Sequence, residues 1–283
     1  MMPANRIESP GDELTGADFA ALASLVRQHT GIAMHEHKRV LLQGRLRPRL
    51  RTLGLVRYGD YIARVRADRA EVQAFINLVT TNDTAFFRTP TVWDYLERDF
   101  LPGWVAQFPQ RTLRIWSAAA ASGEEAYSLA MLCSGFQARA PELRFSITAT
   151  DIDTAVLATA ATGLYEGRTA QRFVEAHPEL ARTHFTREGG ALRARPELRA
   201  HVRFGQHYLL APWPGGAQFD LVLLRNVLIY FDEDNQQRVL GQVHAAMAPG
   251  ARLILGEQES ITRIATPFEF EQAHVYHIRQ EYA

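Results

Sequence analysis

Residues 113–140, LRIWSAAAASGEEAYSLAMLCSGFQARA, decide the fold. Leu113 to Ala118 is an apolar run of strand length, small residues lead to Gly123, and a helical run follows from Glu124. The pattern recurs. FSITAT (145–150) precedes the helical DTAVLATAATGLY, FDLVLLRN (219–226) precedes DEDNQQRVLGQVHAAM, and RLILGEQE (252–259) follows Pro249-Gly250. HVYHIR (274–279) reads as a last strand. Strands alternating with helices predict a parallel sheet covered on both faces. The stretch from Gly167 to Arg203 breaks the rhythm: it is polar, Arg-rich and holds Gly189-Gly190, which suits a hairpin turn. It reads as an insertion, a small antiparallel β-subdomain over about 168–203.

Upstream, the period changes. The first ten residues read as a loose tail, and from there to Phe87 the pattern is helical. Asp18 is placed to cap FAALASLVRQHTG, which stops at Gly31. KRVLLQGRLRPRLRTLG, YGDYIARVRAD and EVQAFINLV supply further helices. The expected division is an all-helical domain over 12–87 and an α/β domain over 88–283. Lys plus Arg and Asp plus Glu are both 31 in 283 residues, so the zero net charge gives no support to a generally basic nucleic-acid binder. Cys133 is the only cysteine, which excludes an internal disulfide and a multi-cysteine zinc site. His201, His207, His274 and His277 lack zinc-like spacing with acids, so no metal is expected. Without an apolar signal core or a run of about 18 apolar residues, the chain reads as cytoplasmic and not membrane-embedded.

In open α/β sheets, ligands sit outside the carboxyl ends of the strands. The first strand ends in small residues that admit close backbone approach, then Glu124 and Glu125. The glycine fingerprint of a dinucleotide site is missing, and two carboxylates there repel a pyrophosphate, so a phosphate-free adenosine cofactor fits better. The alternative is a plain helix start with acids placed against the dipole. After the second strand, Asp151 is either a ribose acceptor or a turn residue, and Asp153 a helix cap. Arg225-Asn226 at the end of an apolar strand faces a cleft or joins a buried network, and Tyr230 follows closely. Thr80–Arg88, TTNDTAFFR, suits a linker whose polar groups reach a cleft while two rings anchor it.

Together, TTNDTAFFR, RIWSAAAASGEEAYSLA, ITATDIDTAVL, FDLVLLRNVLIYFD and LILGEQES resemble the CheR family of chemotaxis receptor methyltransferases, in the family's order and from about residue 12 onward. The resemblance implies a helical N-terminal domain and a Rossmann-like S-adenosylmethionine-dependent methyltransferase domain carrying a small antiparallel β-subdomain. It implies methyl transfer from S-adenosylmethionine to glutamates on chemoreceptor cytoplasmic helices, leaving S-adenosylhomocysteine. By motif, Asn82, Thr84, Arg88, Glu125 or its neighbour Glu124, Asp151, Arg225 and Asn226 correspond to cofactor contacts, as do Tyr208 and Leu209 in VRFGQHYLLAP. Arg88 and Tyr230 fall beside the transferable methyl and are the implied catalytic pair. The chain departs from the family at Tyr208, where an Asn is usual, at Glu257, where a His is usual, and at Ala126 in EEAYS.

The implied partner is the cytoplasmic domain of a methyl-accepting chemoreceptor, met by a monomer. The candidate surfaces are the basic helix around 38–51, with Lys38, Arg39, Arg45, Arg47, Arg49 and Arg51, and the β-subdomain. The bland alternative for that helix is a solvated face. Two other functions compete: the same chemistry on a different signalling protein, and a cofactor-binding regulatory or scaffold protein with lost or altered transfer activity. A nucleic-acid methyltransferase is disfavoured, since RNVLIY lacks the aromatic-Pro tetrad expected after the third strand.

Overall fold

A computed structural model describes residues 13–215 and 218–279; the expected N-terminal tail lies outside them. Contacts divide the chain into Met1–Thr81 and Asn82–Ala283. The boundary therefore falls earlier than the expected 87/88, because the rings of Phe86 and Phe87 pack within the second unit. Phe86 stacks on Phe173 at 4.3 Å and meets Tyr165 at 4.8 Å, while Phe87 meets Trp93 at 5.2 Å.

The first unit is helical: α1 (Gly16–Thr30), α2 (Arg39–Thr52), α3 (Tyr58–Ala67) and α4 (Arg69–Val79). Apolar residues at helical spacing, such as Leu22 with Val26 and Leu42 with Leu46 and Leu50, meet Tyr61, Val65 and Phe75 in one core. The cap of α1 is Thr15, not the expected Asp18. Asp18 N donates to Thr15 Oγ1 at 3.1 Å and the Thr15 hydroxyl donates back to the Asp18 carboxylate at 2.6 Å. Asp18 thus stands at the third helical position and supports the cap through the Thr15 hydroxyl.

Several cations of α2 turn inward. Arg49 donates through Nε and Nη2 to both oxygens of buried Glu71, at 2.9 and 2.6 Å. Arg45 donates to Val79 O, Thr80 O and Thr81 Oγ1 at 2.7–3.0 Å, satisfying carbonyls that the end of α4 leaves unpaired. Arg39 donates to Leu14 O. The outward side of α2 is instead Val40 (81% exposed), Leu41, Gly44, Pro48 and Arg51.

The second unit opens with α5 (Pro90–Tyr95), a π-helical turn (Leu96–Phe100) and α6 (Leu101–Gln107), a helical stretch that periodicity did not single out. Then come β1 (Thr112–Ser117), α7 (Glu124–Gln137), β2 (Arg144–Asp151), α8 (Thr154–Thr162), β3 (Leu164–Tyr165), α9 (Gly167–Ala176) and α10 (Pro178–His184). They are followed by β4 (Phe185–Glu188), β5 (Ala191–Ala194), α11 (Pro196–Arg199), β6 (Val202–Gln206) and β7 (Phe219–Leu224). A short 3₁₀ turn (Leu228–Tyr230), α12 (Glu233–Ala245), β8 (Met247–Leu255), β9 (Phe268–Gln272) and β10 (Val275–Ile278) complete it.

The main sheet runs β6-β2-β1-β7-β8-β10-β9. Its first five strands are parallel, but β10 pairs antiparallel with β8 and with β9. The sheet is therefore mixed rather than wholly parallel as expected. Its returning edge is a hairpin that needs no crossover helix. Central β7 is buried at every position, as a strand covered on both faces requires. β2 and β6 lie on one side of β1 and β7 and β8 on the other, so the chain reverses its winding between β1 and β7. That reversal opens a crevice at their carboxyl ends. The insertion is a three-stranded antiparallel sheet, β3-β5-β4, whose hairpin turns at Gly189-Gly190. It starts earlier than expected, at Leu164, carries α9 and α10, and ends before β6, which returns to the main sheet.

Candidate active site

Small residues bring the first two strand ends together. Ala120 N donates to Thr150 O at 2.9 Å, and Ala121 N donates to Asp151 Oδ2 at 2.9 Å. Ala121 and Gly123 take left-handed backbone, at φ 45° and 93°. A side chain at Gly123 would be strained and would lie 2.9 Å from Ala160 Cβ, so only glycine starts α7 here. Asp151 also accepts from Asp153 N at 3.0 Å, and Asp153 caps α8 through Ala155 N and Val156 N. The turn role of Asp151 is thus present. Two carboxylate oxygens carry about four acceptor positions, so capacity is left for ribose hydroxyls. Burial pushes its pKa up, opposed by these N–H groups.

The neighbouring glutamates part company. Glu125 takes a hydrogen bond from Ser117 Oγ at 2.8 Å and an ion pair from Arg225 Nη1 at 2.9 Å, one on each oxygen. Burial raises its pKa against the pull of Arg225. Glu124 is also buried, which raises its pKa, and it accepts from Ser122 Oγ at 2.7 Å. Of the pair, Glu125 has both oxygens committed to the protein.

Arg225 faces inward, its side chain 2% exposed. Besides Glu125 it donates through Nη2 to Arg88 O at 2.8 Å and Thr89 Oγ1 at 2.7 Å. It therefore ties the end of β7 to the segment 82–89 and to the start of α7. Asn226 is half-buried at φ 58°, a conformation asparagine tolerates better than most residues. Tyr230 ends the 3₁₀ turn, half-buried.

The segment 82–89 is fixed along its length. Asn82 Nδ2 donates to Asp153 Oδ2 at 2.7 Å, Phe87 N to Ser128 Oγ at 3.0 Å, and Trp93 Nε1 to Arg88 O at 2.8 Å. Thr84 is half-buried. Arg88 is 37% exposed and reaches Asp83, which is 86% exposed, at 3.5 Å between charges. Phe87, Thr89, Ala121 and Asn226 are four of the five non-glycine residues with positive φ among the described residues. Such costly backbone persists only where its surroundings over-determine it.

Asn82 is tied through Asp153 to Asp151, and Glu125 through Arg225 to the carbonyl of Arg88; Glu124 and Asn226 adjoin Glu125 and Arg225 along the chain. Tyr208 and Leu209 differ: Leu209 is buried in the cluster around Trp116, Val222 and Leu240, and Tyr208 packs on that cluster half-buried. Sequence reasoning missed Glu259. Its buried carboxylate accepts from the N–H groups of Gly256, Asn226, Val227 and Leu228 at 2.7–2.8 Å. The only signal was its place after β8, in a strand end inspected for the departure at Glu257, which is exposed.

A doubly wound sheet with acids and small residues at its strand ends, and no glycine-rich phosphate loop among the described residues, suits a phosphate-free adenosine cofactor. Comparison with known proteins agrees. The family model described as CheR methyltransferase, SAM binding domain, matches residues 82–277, and the CheR methyltransferase all-alpha domain matches 17–80. The chain is 36% identical to the chemotaxis protein methyltransferase of Klebsiella aerogenes over 95% of its length and 91% of the relative's. It is 34% identical to that of Escherichia coli, covering 95% and 93%. It is 36% identical to chemotaxis protein methyltransferase 2 of Pseudomonas aeruginosa, covering 87% of each chain. The chain belongs to the CheR methyltransferase family, uses S-adenosylmethionine, and serves chemotaxis as a methyltransferase. No helix among the described residues is long and apolar enough to cross a membrane.

Proposed function

We propose that the acceptor is the side-chain carboxylate of glutamates on chemoreceptor cytoplasmic helices. The observation that carries this is Arg88. Among the described residues its guanidinium, on the segment 82–89, meets only Asp83, at the carbonyl (3.2 Å) and at a largely solvated carboxylate (3.5 Å). A solvated pair of this kind is worth little, so an incoming carboxylate displaces Asp83 at small cost.

The donor set fits the cofactor. Ribose hydroxyls and an ammonium are donors and cations, and Asp151 and Glu124 are acceptors at the two strand ends. When bound, S-adenosylmethionine supplies a sulfonium methyl; a carboxylate oxygen bonds to that carbon as the carbon–sulfur bond breaks and its electron pair stays on sulfur. A glutamate with its ordinary pKa of about 4.3 is already ionised at neutral pH, so no general base is required. The residues here have to position and to exclude water. Water stabilises separated charges more than a transition state in which they cancel. Phe86 and Phe87, packed on Phe173 and Trp93, anchor the segment that carries Arg88. Arg88 holds the carboxylate and the Tyr230 hydroxyl orients it, a gain in positioning rather than in proton transfer. The basic and apolar outward side of α2, with Arg51 and Val40, is the proposed receptor-facing surface.

The test is transfer of radiolabelled methyl to a purified receptor cytoplasmic fragment, followed by mild alkali. A glutamyl ester releases the label as methanol. Label that survives alkali, as on nitrogen, would refute a carboxylate acceptor.

A further inference from the structure

We propose that Glu259 is a positioning residue that sets the shape of the segment Asn226–Tyr230. The proposal rests on the methyltransferase reading of the crevice and adds a residue to it. Asn226, Val227 and Leu228 turn three successive N–H groups inward, starting from the left-handed backbone of Asn226. Successive N–H groups that converge in this way form a nest that binds an anion. Here the anion belongs to the chain. Glu259 Oε1 accepts from Val227 and Leu228, and Oε2 from Asn226 and Gly256.

The opposite polarity is met as well. Gln236 Nε2 donates to Leu228 O at 3.0 Å and Phe231 O at 3.2 Å. The segment is thus gripped by its donors from the turn after β8 and by its acceptors from α12. The fit leaves no slack. A Cβ at Gly256 would lie 2.7 Å from Glu259 Oε2 and 2.8 Å from Asn226 N, two atoms that are not free to move. Gly256 is therefore required for space, and Gly256→Ala disturbs the nest without altering a charge.

Glu259→Gln keeps the shape but replaces one acceptor oxygen by a donor, which then faces N–H groups. In the full-length protein, amide exchange at Asn226, Val227 and Leu228 should rise about hundred-fold in Glu259→Gln and Gly256→Ala, with other strand-end amides unchanged. At saturating cofactor, kcat should fall about ten- to hundred-fold while KM for the receptor fragment stays within about two-fold. Val243→Ala, on the buried face of α12, is the control: matched to Glu259→Gln in thermal midpoint, it should keep kcat within about two-fold. Wild-type kcat in both variants, or an equal kcat loss in Val243→Ala, overturns the positioning role. Should Glu259→Gln not fold, Gly256→Ala carries both measurements. If the wild type transfers no methyl, the methyltransferase reading fails instead; unchanged amide exchange in Gly256→Ala would then still refute the nest.

Discussion

Each unit contains an arginine–glutamate pair whose acid is buried, and the two are built differently. In the helical unit, Arg49 donates to both oxygens of Glu71, beside Tyr61. In the sheet unit, Arg225 gives Glu125 a single nitrogen and spends another on the carbonyl of Arg88 and the hydroxyl of Thr89. The first pair joins two helices. The second joins a strand end, a helix start and the segment that carries the candidate catalytic arginine. Their glutamates shift oppositely: the Arg49 hydrogen bonds hold Glu71 below its ordinary pKa, whereas burial outweighs Arg225 and raises Glu125. Where an ion pair's remaining donors go separates a structural brace from a site brace.

Four predictions probe that contrast. Arg225→Met should have the largest effect, because it leaves Glu125 buried without its cation. It should destabilise the protein by about 3–5 kcal/mol, read in urea unfolding, and lower methyl transfer about hundred-fold. Arg49→Met should also destabilise, by about 3 kcal/mol, yet leave the affinity for S-adenosylhomocysteine within about two-fold in calorimetry. Equal loss of affinity in both variants would erase the distinction.

The pH dependence should separate the pairs next. Glu71 has a folded pKa below its unfolded value of about 4.3, so its stabilisation is present above that value and lost as pH falls through the folded one. For Glu125 the sign reverses: the folded state holds its proton more tightly, so its contribution is present on the acid side and lost as pH rises through the raised value. Unfolding midpoints across pH should therefore lose their acid-side fall in Glu71→Gln and their decline above about pH 4.3 in Glu125→Gln. The smallest effect is expected at the surface. Arg51→Glu should weaken receptor methylation about two- to five-fold at low salt, with the difference shrinking as salt is added.

The central strands were legible because they are buried. β1, β2 and β7 are apolar runs followed by helical periods, β8 is an apolar run that follows one, and Asp151, Glu125 and Arg225 stand where such runs end. The Phe86-Phe87 anchor was likewise readable from two adjacent rings after a polar cluster. β6 and β9 were not, since as edge strands each buries only its first residue and shows no alternation. Asp18 was mistaken for the cap because Thr15, three residues earlier, has a side chain of the same capping chemistry and residue type alone does not rank the two. Glu259 escaped for a different reason: its role depends on backbone N–H groups that converge only after the strand ends have met. Nor does residue type tell inward from outward charge. Arg45 and Arg49 looked like surface, and they are bound to a helix end and to Glu71.

The most direct test of the crevice is calorimetric titration of the full-length protein with S-adenosylhomocysteine, repeated on Asp151→Ala. The account predicts micromolar-type binding by the wild type that is lost in the variant. Undiminished binding by Asp151→Ala, or none by the wild type, would contradict a cofactor seated at the strand ends.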